Sequence, residues 1–60
     1  MTISNFSHAY WRQIKAGNRT FESVKEGYKE QVKYLAQTDV ENGIISEQDY
    51  FNYIGEKYIR

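Results

Sequence analysis

The chain of 60 residues contains no cysteine and no proline, and it has only one histidine, one methionine and one tryptophan. Without cysteine there can be no disulfide bond and no cysteine-bound metal to reinforce so small a domain. No proline-rich linker, internal repeat or low-complexity segment divides the sequence. We therefore expect a single domain, residues 1–60, that is stabilised by its core alone.

Residue types that carry catalysis are also scarce. His8 is the only histidine, and no nucleophile motif or orienting acid accompanies it, so we interpret it as a surface residue. Asp39, Glu41, Glu47 and Asp49 form a local acidic group, which on a domain too small for a cleft is typical of solvated charge. The sequence predicts a protein that is not an enzyme, with no catalytic residue, no cofactor and no metal site.

No apolar run reaches the roughly 20 residues that a membrane-spanning helix needs. The first residues, MTISNFSHAYWRQ, lack the basic stretch followed by an apolar one that marks a secretion signal. We expect a protein outside the membrane that stays in the cytoplasm of the cell that makes it.

The eight basic and eight acidic residues balance, but they are unevenly placed. Residues 1–37 hold six basic and three acidic residues, whereas residues 38–60 hold two basic and five acidic ones. This uneven distribution gives the chain a charge dipole, which can orient head-to-tail association of copies into a homo-oligomer. Alternatively, the basic and acidic parts of the chain can pair with each other within one domain. Pairing within the domain is the favoured interpretation.

Three segments carry apolar residues at helical spacing, and no segment alternates as a strand does. The first helix is predicted over residues 5–16, with a cap at Ser4 or Asn5 and an end at Gly17 and Asn18. Its apolar face consists of Phe6, Tyr10, Trp11 and Ile14.

The second helix is predicted over residues 20–37 or 20–41, with Thr20 as its N-cap. Thr38 and Asp39 can continue the helix or restart it as a separate turn. The apolar residues are Phe21, Val24, Tyr28, Val32 and Leu35, and the exposed face carries the pairs Glu22–Lys25, Glu26–Lys29 and Glu30–Lys33.

The third helix is predicted over residues 46–59 and begins with Ser46 and Asp49 at the spacing of a capping box. Gly55 lies inside this segment, where it favours a frayed end or a kink. The apolar stripe consists of Tyr50, Phe51, Tyr53, Ile54 and Tyr58. The predicted fold is therefore an all-α, three-helix domain.

The Asn-Gly turn before the third helix can be compared with an EF-hand calcium loop, with Gly43 at its sixth position. Thr38 and Val40 would then occupy the first and third positions, and Asp49 the twelfth. Val40 has no side-chain oxygen and Asp49 is shorter than the usual bidentate glutamate, so calcium binding is not expected. The turn instead predicts that Ile45 packs into the core.

Nucleic-acid binding is also not expected. Lys25, Lys29 and Lys33 follow one side of the second helix, but glutamates run beside them and the net charge is zero. Phosphate binding needs a basic surface that is not compensated in this way.

Ten aromatic residues, six of them tyrosine, are many for so short a chain. They can form the core of an undersized domain, or part of them can form a docking face for a protein partner. Because a three-helix domain of this size encloses few rings completely, several should remain partly exposed. The residues predicted to form the docking face are Tyr10, Trp11, Tyr34, Tyr50, Phe51 and Tyr53.

Residues 40–58 resemble the XkdX-like proteins, which are very small proteins encoded among the tail genes of bacteriophages and prophages of Gram-positive bacteria. The family ending runs roughly Gly-x-Ile-Thr-x-x-x-Tyr-x-x-Ile-Thr-Gly-Glu-x-Tyr, and the early WRQIK, residues 11–15, also looks like the family's opening. The positions that keep the spacing of the ending are Gly43, Ile45, Ser46 in place of Thr, Tyr50, Tyr53 in place of Ile, Ile54 in place of Thr, Gly55, Glu56 and Tyr58.

The resemblance implies a phage or prophage source and a role connected with tail or virion proteins, and it supplies no catalytic residue. The segment RTFESVKEGYKEQVKYLAQ is longer than its counterpart in the family. A phage structural protein is the partner that this context favours. The alternative is a small phage-encoded inhibitor that binds a host enzyme or a nucleic-acid-binding protein.

Overall fold

The computed structural model describes residues 2–59, which form three α-helices and one short 3-10 turn. The helices are α1 (Asn5–Lys15), α2 (Glu26–Glu41) and α3 (Glu47–Ile54), and the 3-10 turn is Phe21–Ser23. No strand occurs within residues 2–59. The prediction of a small all-α, three-helix domain is confirmed.

α1 and α2 run in the same direction, which two side-chain contacts show. The Ser7 hydroxyl donates to Gln31 Oε1 at 2.7 Å, and Trp11 Nε1 donates to Asp39 Oδ2 at 2.9 Å. Later residues of α1 therefore meet later residues of α2. α3 turns back along α2, and Glu56, just after α3, reaches the middle of α2 at Lys33.

The parallel course of α1 and α2 explains why the second helix begins at Glu26 and not near Thr20 as predicted. α1 is about 16 Å long at 1.5 Å per residue, and the chain must travel back along it before α2 can start. Phe21 and Val24 are buried during this return. Thr20 makes no side-chain cap; its carbonyl accepts instead from the Ser23 hydroxyl at 2.7 Å.

α1 begins and ends close to the predicted positions. The Ser4 side chain accepts from the backbone N–H of Phe6, so Ser4 is the N-cap. At the other end, the Gly17 N–H donates to the Ile14 carbonyl and the Asn18 N–H to the Gln13 carbonyl, which is the Schellman pattern.

α2 continues without a break to Glu41, so the alternative of a separate turn at Thr38 and Asp39 is wrong. The Thr38 hydroxyl donates to the carbonyl four residues earlier, that of Tyr34, and this bond is compatible with the helix. The helix then ends in a second Schellman pattern, in which Gly43 has a φ of +74°.

The capping box that opens α3 is confirmed. The Ser46 hydroxyl accepts from the Asp49 N–H at 3.0 Å, and the Asp49 carboxylate accepts from the Ser46 N–H at 3.2 Å. The predicted extension of the helix to residue 59 is wrong, because α3 ends at Ile54. Gly55 takes a φ of +84°, a left-handed conformation that stops the helix and redirects the last residues along the surface.

The core lies where the three helices and the return segment meet. Among residues 2–59, every buried side-chain nitrogen or oxygen has a hydrogen-bond partner. The buried apolar residues are Trp11, Ile14, Phe21, Val24, Val32, Ala36, Tyr50 and Ile54, and those packed against them include Tyr10, Tyr28, Leu35, Val40, Ile45, Tyr53 and Tyr58.

The charged groups pair mostly across the two parts of the chain. Lys15 lies 3.3 Å from Asp39 and Lys33 lies 3.0 Å from Glu56. Residues 1–37 have three more basic than acidic residues and residues 38–60 three more acidic than basic ones, so these two ion pairs compensate two of the three charges in each part. Within α2, Glu26 and Lys29 pair at 3.6 Å as predicted, whereas Lys33 turns away from Glu30 towards α3. The dipole seen in the sequence is therefore largely cancelled within the domain.

Candidate protein-binding surface

Two of the six residues predicted to form a docking face lie in the core. Trp11 is 4% exposed and Tyr50 is 2% exposed. The Trp11 indole lies edge-on to Tyr53 and bonds to Asp39, so it joins all three helices. Because neither Trp11 nor Tyr50 can reach a partner without unfolding, a docking surface has to be built from other residues.

Tyr10 and Tyr53 are half-buried, and each is held by neighbouring rings. Tyr10 packs against Tyr28 at 5.8 Å, and Tyr28 in turn packs against Phe6 at 5.9 Å. The Arg19 guanidinium also lies over the Tyr10 ring, 4.9 Å from the ring centre. This row of aromatic side chains lies along α1 and the start of α2.

Tyr34 and Phe51 are each 48% exposed, so these two of the six are accessible. Tyr34 lies beside Lys33 and Gln37 on the outer side of α2. Phe51 lies in the middle of α3. Each ring lines a shallow depression of its own, Tyr34 one along the middle of α2 and Phe51 one beside α3.

A larger depression has a volume of about 710 Å³ and lies between the end of α2, the start of α3 and the last described residues. Its apolar lining comes from three separate segments of the chain. The residues that line it are Gln37, Val40, Glu41, Ile45, Ser46, Glu47, Tyr58 and Ile59.

A second depression of about 390 Å³ adjoins the first, because Glu47 and Tyr58 line both. Phe51, Gln48 and Lys57 complete it. We call the two together the α2–α3 groove, and its apolar members are Val40, Ile45, Phe51, Tyr58 and Ile59. Tyr34 adjoins the groove through Gln37, which lines both the larger depression and the one beside Tyr34.

The turn after α2 builds one wall of the groove. The backbone N–H groups of Ile44 and Ile45 both point to the Asp39 carbonyl, at 2.8 and 3.4 Å. This arrangement turns Ile45 inward against the core, as predicted, and leaves the preceding residue, Ile44, 63% exposed. The turn thus adds an exposed apolar side chain to the same end of the molecule.

The segment after Gly55 builds the opposite wall. Tyr58 lies edge-on to the buried Tyr50, with ring centres 5.3 Å apart. Ile59 follows and is 82% exposed. Because α3 stops at Ile54, these side chains lie beside the hairpin instead of continuing along a helix face.

Sequence reasoning missed the groove because it depends on the early end of α3. Ile45 was interpreted as a core residue and Tyr58 as part of the apolar stripe of the third helix, whereas Val40 was considered only as a calcium-loop position and Ile59 was given no role. The signal that could have found them is Gly55, since a glycine near the end of an amphipathic segment is a common helix stop.

A salt bridge fixes the chain just after α3. The Lys33 ammonium donates to Glu56 Oε1 at 3.0 Å, and this hydrogen bond raises the pKa of Lys33 above its ordinary value of 10.5. The negative charge of Glu56 acts in the same direction, and partial burial acts against both. The pair ties the segment that carries Tyr58 to the middle of α2.

The residues compared above with the ligands of an EF-hand loop have structural roles in the helices and in a helix cap. Thr38 and Val40 belong to α2, and the Asp49 carboxylate accepts the Ser46 N–H of the capping box. Among residues 2–59, no group of three or more acidic or histidine side chains is arranged to hold a metal ion.

The fold and the groove together define a small all-α domain with an apolar depression at one end of a helical hairpin. None of its described helices combines the length and the apolar character needed to cross a bilayer. Comparison of the chain with family models, with curated proteins and with solved structures gives no match.

Proposed function

We propose that this chain is a non-enzymatic protein-interaction module and that it docks through the α2–α3 groove. The observation that supports this function most is the clustering of exposed apolar side chains. Among the residues that the structure describes, five large apolar side chains are highly exposed. Phe51 and Ile59 are two of them and line the groove, and Ile44 is a third, which directly precedes Ile45 in the groove wall. Clustered apolar exposure on a soluble surface is typical of a docking site.

The shape of the groove supports the same function. Its walls come from the end of α2, the turn and start of α3, and the segment after Gly55, so a partner would contact three parts of the chain at once. Aromatic side chains are enriched where protein interfaces are anchored, and Phe51 and Tyr58 both line the smaller depression of the groove.

The serine hydroxyls give further support, because each has a structural partner. The bonds are those of Ser4 with the Phe6 N–H, Ser7 with Gln31, Ser23 with the Thr20 carbonyl, and Ser46 with the Asp49 N–H. His8 lies exposed on α1, apart from these serines. A domain that works by contact needs none of these groups for chemistry.

The resemblance of residues 40–58 to the XkdX-like proteins supports a phage or prophage source, in which the module acts in the host cytoplasm or in the virion. The groove is built largely from this segment, since Ile45, Phe51 and Tyr58 lie within it. The proposed context is therefore association with tail or virion proteins.

Site-specific photo-crosslinking in phage-producing cells tests the proposal. A photoreactive phenylalanine analogue at Phe51 should give a discrete adduct, because the ring lies in the groove. The same analogue at Phe6 is a matched control, since that ring is 66% exposed but lies in the aromatic row along α1.

An adduct at position 51 that identifies a virion protein would support the proposed context, and one with a host enzyme would favour the inhibitor alternative. Equal labelling from both positions, or no adduct from position 51, would remove the groove as a docking surface. A genome in which the gene lies outside any phage or prophage region would contradict the proposed source.

A further inference from the structure

The larger depression of the groove is lined by apolar and acidic side chains, and by no basic one within the described range 2–59. Its charged lining residues are Glu41 and Glu47, whereas Lys57 lines only the smaller depression. The apolar lining consists of Val40, Ile45, Tyr58 and Ile59. The depression therefore combines an apolar surface with charge of one sign.

Glu41 is the acid in this lining that remains available to a partner. Glu47 already has an interaction within the chain. Asp39, two residues before Glu41, is held by Trp11 and Lys15. Glu41 is exposed, and it forms no ion pair with any residue from 2 to 59. Its carboxylate can therefore meet a cation from outside the domain.

The ends of two helices meet at the larger depression, and their charges are balanced differently. The N-terminal end of α3, where the helix dipole is positive, has Glu47 and Asp49 in its first turn. The C-terminal end of α2, where the dipole is negative, has no basic residue in its last turn, and Glu41 is the last residue of that helix. Because an acidic side chain is unfavourable at this end of a helix, Glu41 lowers the stability of the free domain.

From these observations we propose that the groove binds a basic, amphipathic segment of a protein partner. A lysine or arginine of that segment pairs with Glu41, and a neighbouring apolar side chain fills the larger depression. The inference rests on the proposed function, because it uses the same groove and names the chemistry of the segment that docks there.

Electrostatic complementarity favours a basic segment over an acidic or a neutral one. A cation beside Glu41 offsets the unfavourable interaction of this carboxylate with the end of α2, whereas an acidic side chain would add to it. Interfaces are arranged so that opposite charges meet, and like charges placed together suppress the wrong partner. Glu41 therefore selects for the sign of charge that the partner carries.

The form of the depression also suits such a segment. Its volume of about 710 Å³ lies within the roughly 300–1,000 Å³ of binding pockets, so it has room for large side chains. Lysine and arginine have long apolar stems, which can cover apolar surface while the charged end reaches an acid. A basic residue next to an apolar one can thus use the apolar lining and Glu41 together.

Titration of the isotope-labelled chain with matched synthetic peptides, followed through amide chemical shifts, tests the chemistry of the segment. The probe is an amphipathic peptide of leucine and lysine. In one control peptide glutamate replaces every lysine, and in the other serine replaces every leucine. The leucine–lysine peptide should give saturable shifts at Val40, Ile45 and Ile59, and each control peptide should bind at least about tenfold more weakly.

Variants at position 41 identify the charge that is recognised. Glu41→Gln should weaken binding of the leucine–lysine peptide about two- to fivefold, the range of one exposed ion pair, and should make the affinity less dependent on salt. Glu41→Lys should reverse the preference, so that the leucine–glutamate peptide binds more tightly. Glu22→Gln is the matched control and should leave the affinity unchanged, because Glu22 is an exposed acid that lines neither depression of the groove.

Thermal unfolding of the free protein gives a second, independent measurement. Glu41→Gln should raise the unfolding midpoint by a few degrees, because it removes an unfavourable charge from the end of α2. The same substitution should therefore strengthen the fold and weaken binding, which is the opposite of what a carboxylate with only a structural role would give.

Equal or tighter binding of the leucine–glutamate peptide by the wild type would overturn the inference, as would a Glu41→Gln variant that binds the leucine–lysine peptide as tightly as the wild type does. A lower unfolding midpoint for Glu41→Gln would overturn it too. If the inference fails in these ways while the analogue at position 51 still forms a discrete adduct in cells, the proposed function stands. If no adduct forms and no peptide shifts the groove residues, both fall.

Discussion

Replacing Asp39 with alanine should destabilise the domain by about 2–3 kcal/mol. Asp39 Oδ2 accepts the indole N–H of Trp11 at 2.9 Å and the ammonium of Lys15 at 3.3 Å. Trp11 is 4% exposed, so losing its acceptor leaves a largely desolvated donor without a partner, which costs about 1–3 kcal/mol. The partly exposed ion pair with Lys15 adds less than about 1 kcal/mol.

Thermal unfolding followed by circular dichroism measures the effect. For a domain of this size, about 1 kcal/mol changes the unfolding midpoint by roughly 4–8 °C, so Asp39→Ala should lower it by at least about 8 °C. Asp39→Asn keeps an acceptor oxygen and should cost less than the alanine variant. Lys15→Met removes the ion pair and the contact of the ammonium with the Trp11 ring, whose centre is 5.2 Å away, but keeps the indole bond, and it should lower the midpoint by a few degrees.

A double-mutant cycle separates the indole bond from the rest of the effect. In a Trp11→Phe background the donor is already absent, so Asp39→Ala should cost only what the ion pair contributes. If Asp39→Ala destabilises this background as much as it destabilises the wild type, the Trp11–Asp39 bond does not carry the stability assigned to it. A midpoint unchanged by Asp39→Ala would refute the reasoning outright.

Three further outcomes test how the helices end and how they are joined. Gly55→Ala should destabilise the domain by about 1–2 kcal/mol, because residue 55 has a left-handed φ that alanine disfavours. Gly27→Ala lies within a helix and has open space around it, so it should stabilise the domain by about 0.4–1 kcal/mol. Equal effects of the two substitutions in thermal unfolding would contradict the assigned helix stop. Ser46→Ala should cost about 1 kcal/mol in urea unfolding, and a smaller loss than about 0.3 kcal/mol would exclude the capping box as a stabilising feature. Because folding raises the pKa of Lys33, its pairing with Glu56 stabilises the folded protein fully at pH values below the ordinary lysine pKa of 10.5. This stabilisation is lost as the pH rises through the pKa that Lys33 has in the folded protein. Unfolding midpoints measured from neutral to strongly alkaline pH should therefore fall less steeply for Lys33→Met, and identical slopes would contradict the pairing.

Features set by neighbouring residues could be predicted from the sequence. The capping box of Ser46 and Asp49, the N-cap at Ser4 and the helix end at Gly17 each depend on a few adjacent residues, and all are present. The fold class follows from the same local signals, because three amphipathic segments of this length have few ways to enclose a core.

The start of α2 could not be predicted in this way. Phe21 and Val24 continue the apolar spacing of α2 backwards, and both are buried as that spacing suggests. They are buried from a non-helical segment, since the chain needs those residues to return along α1. The direction of α1 relative to α2 depends on distant contacts such as Ser7 with Gln31, which no local pattern encodes.

Which aromatic rings lie in the core and which lie at the surface also could not be predicted from the sequence. Tyr50 and Phe51 are neighbours on α3, yet one is 2% exposed and the other 48%. The difference in exposure between Tyr50 and Phe51 depends on which side of α3 faces α2. That orientation is set by tertiary packing, which the sequence pattern does not show. The predicted docking residues therefore included the accessible Phe51 and Tyr34 and also the buried Trp11.

The parallel arrangement of α1 and α2 has a consequence for how fast the protein folds. The bonds that join these helices connect residues 24 to 28 positions apart, close to half the length of the chain. An antiparallel pair joined by a tight turn can begin to associate at its loop, but this pair cannot form its first contact until the whole return segment has closed. We therefore expect refolding to be slower than that of up-and-down helical bundles of similar size, with the closing of α1 onto α2 as the slow step.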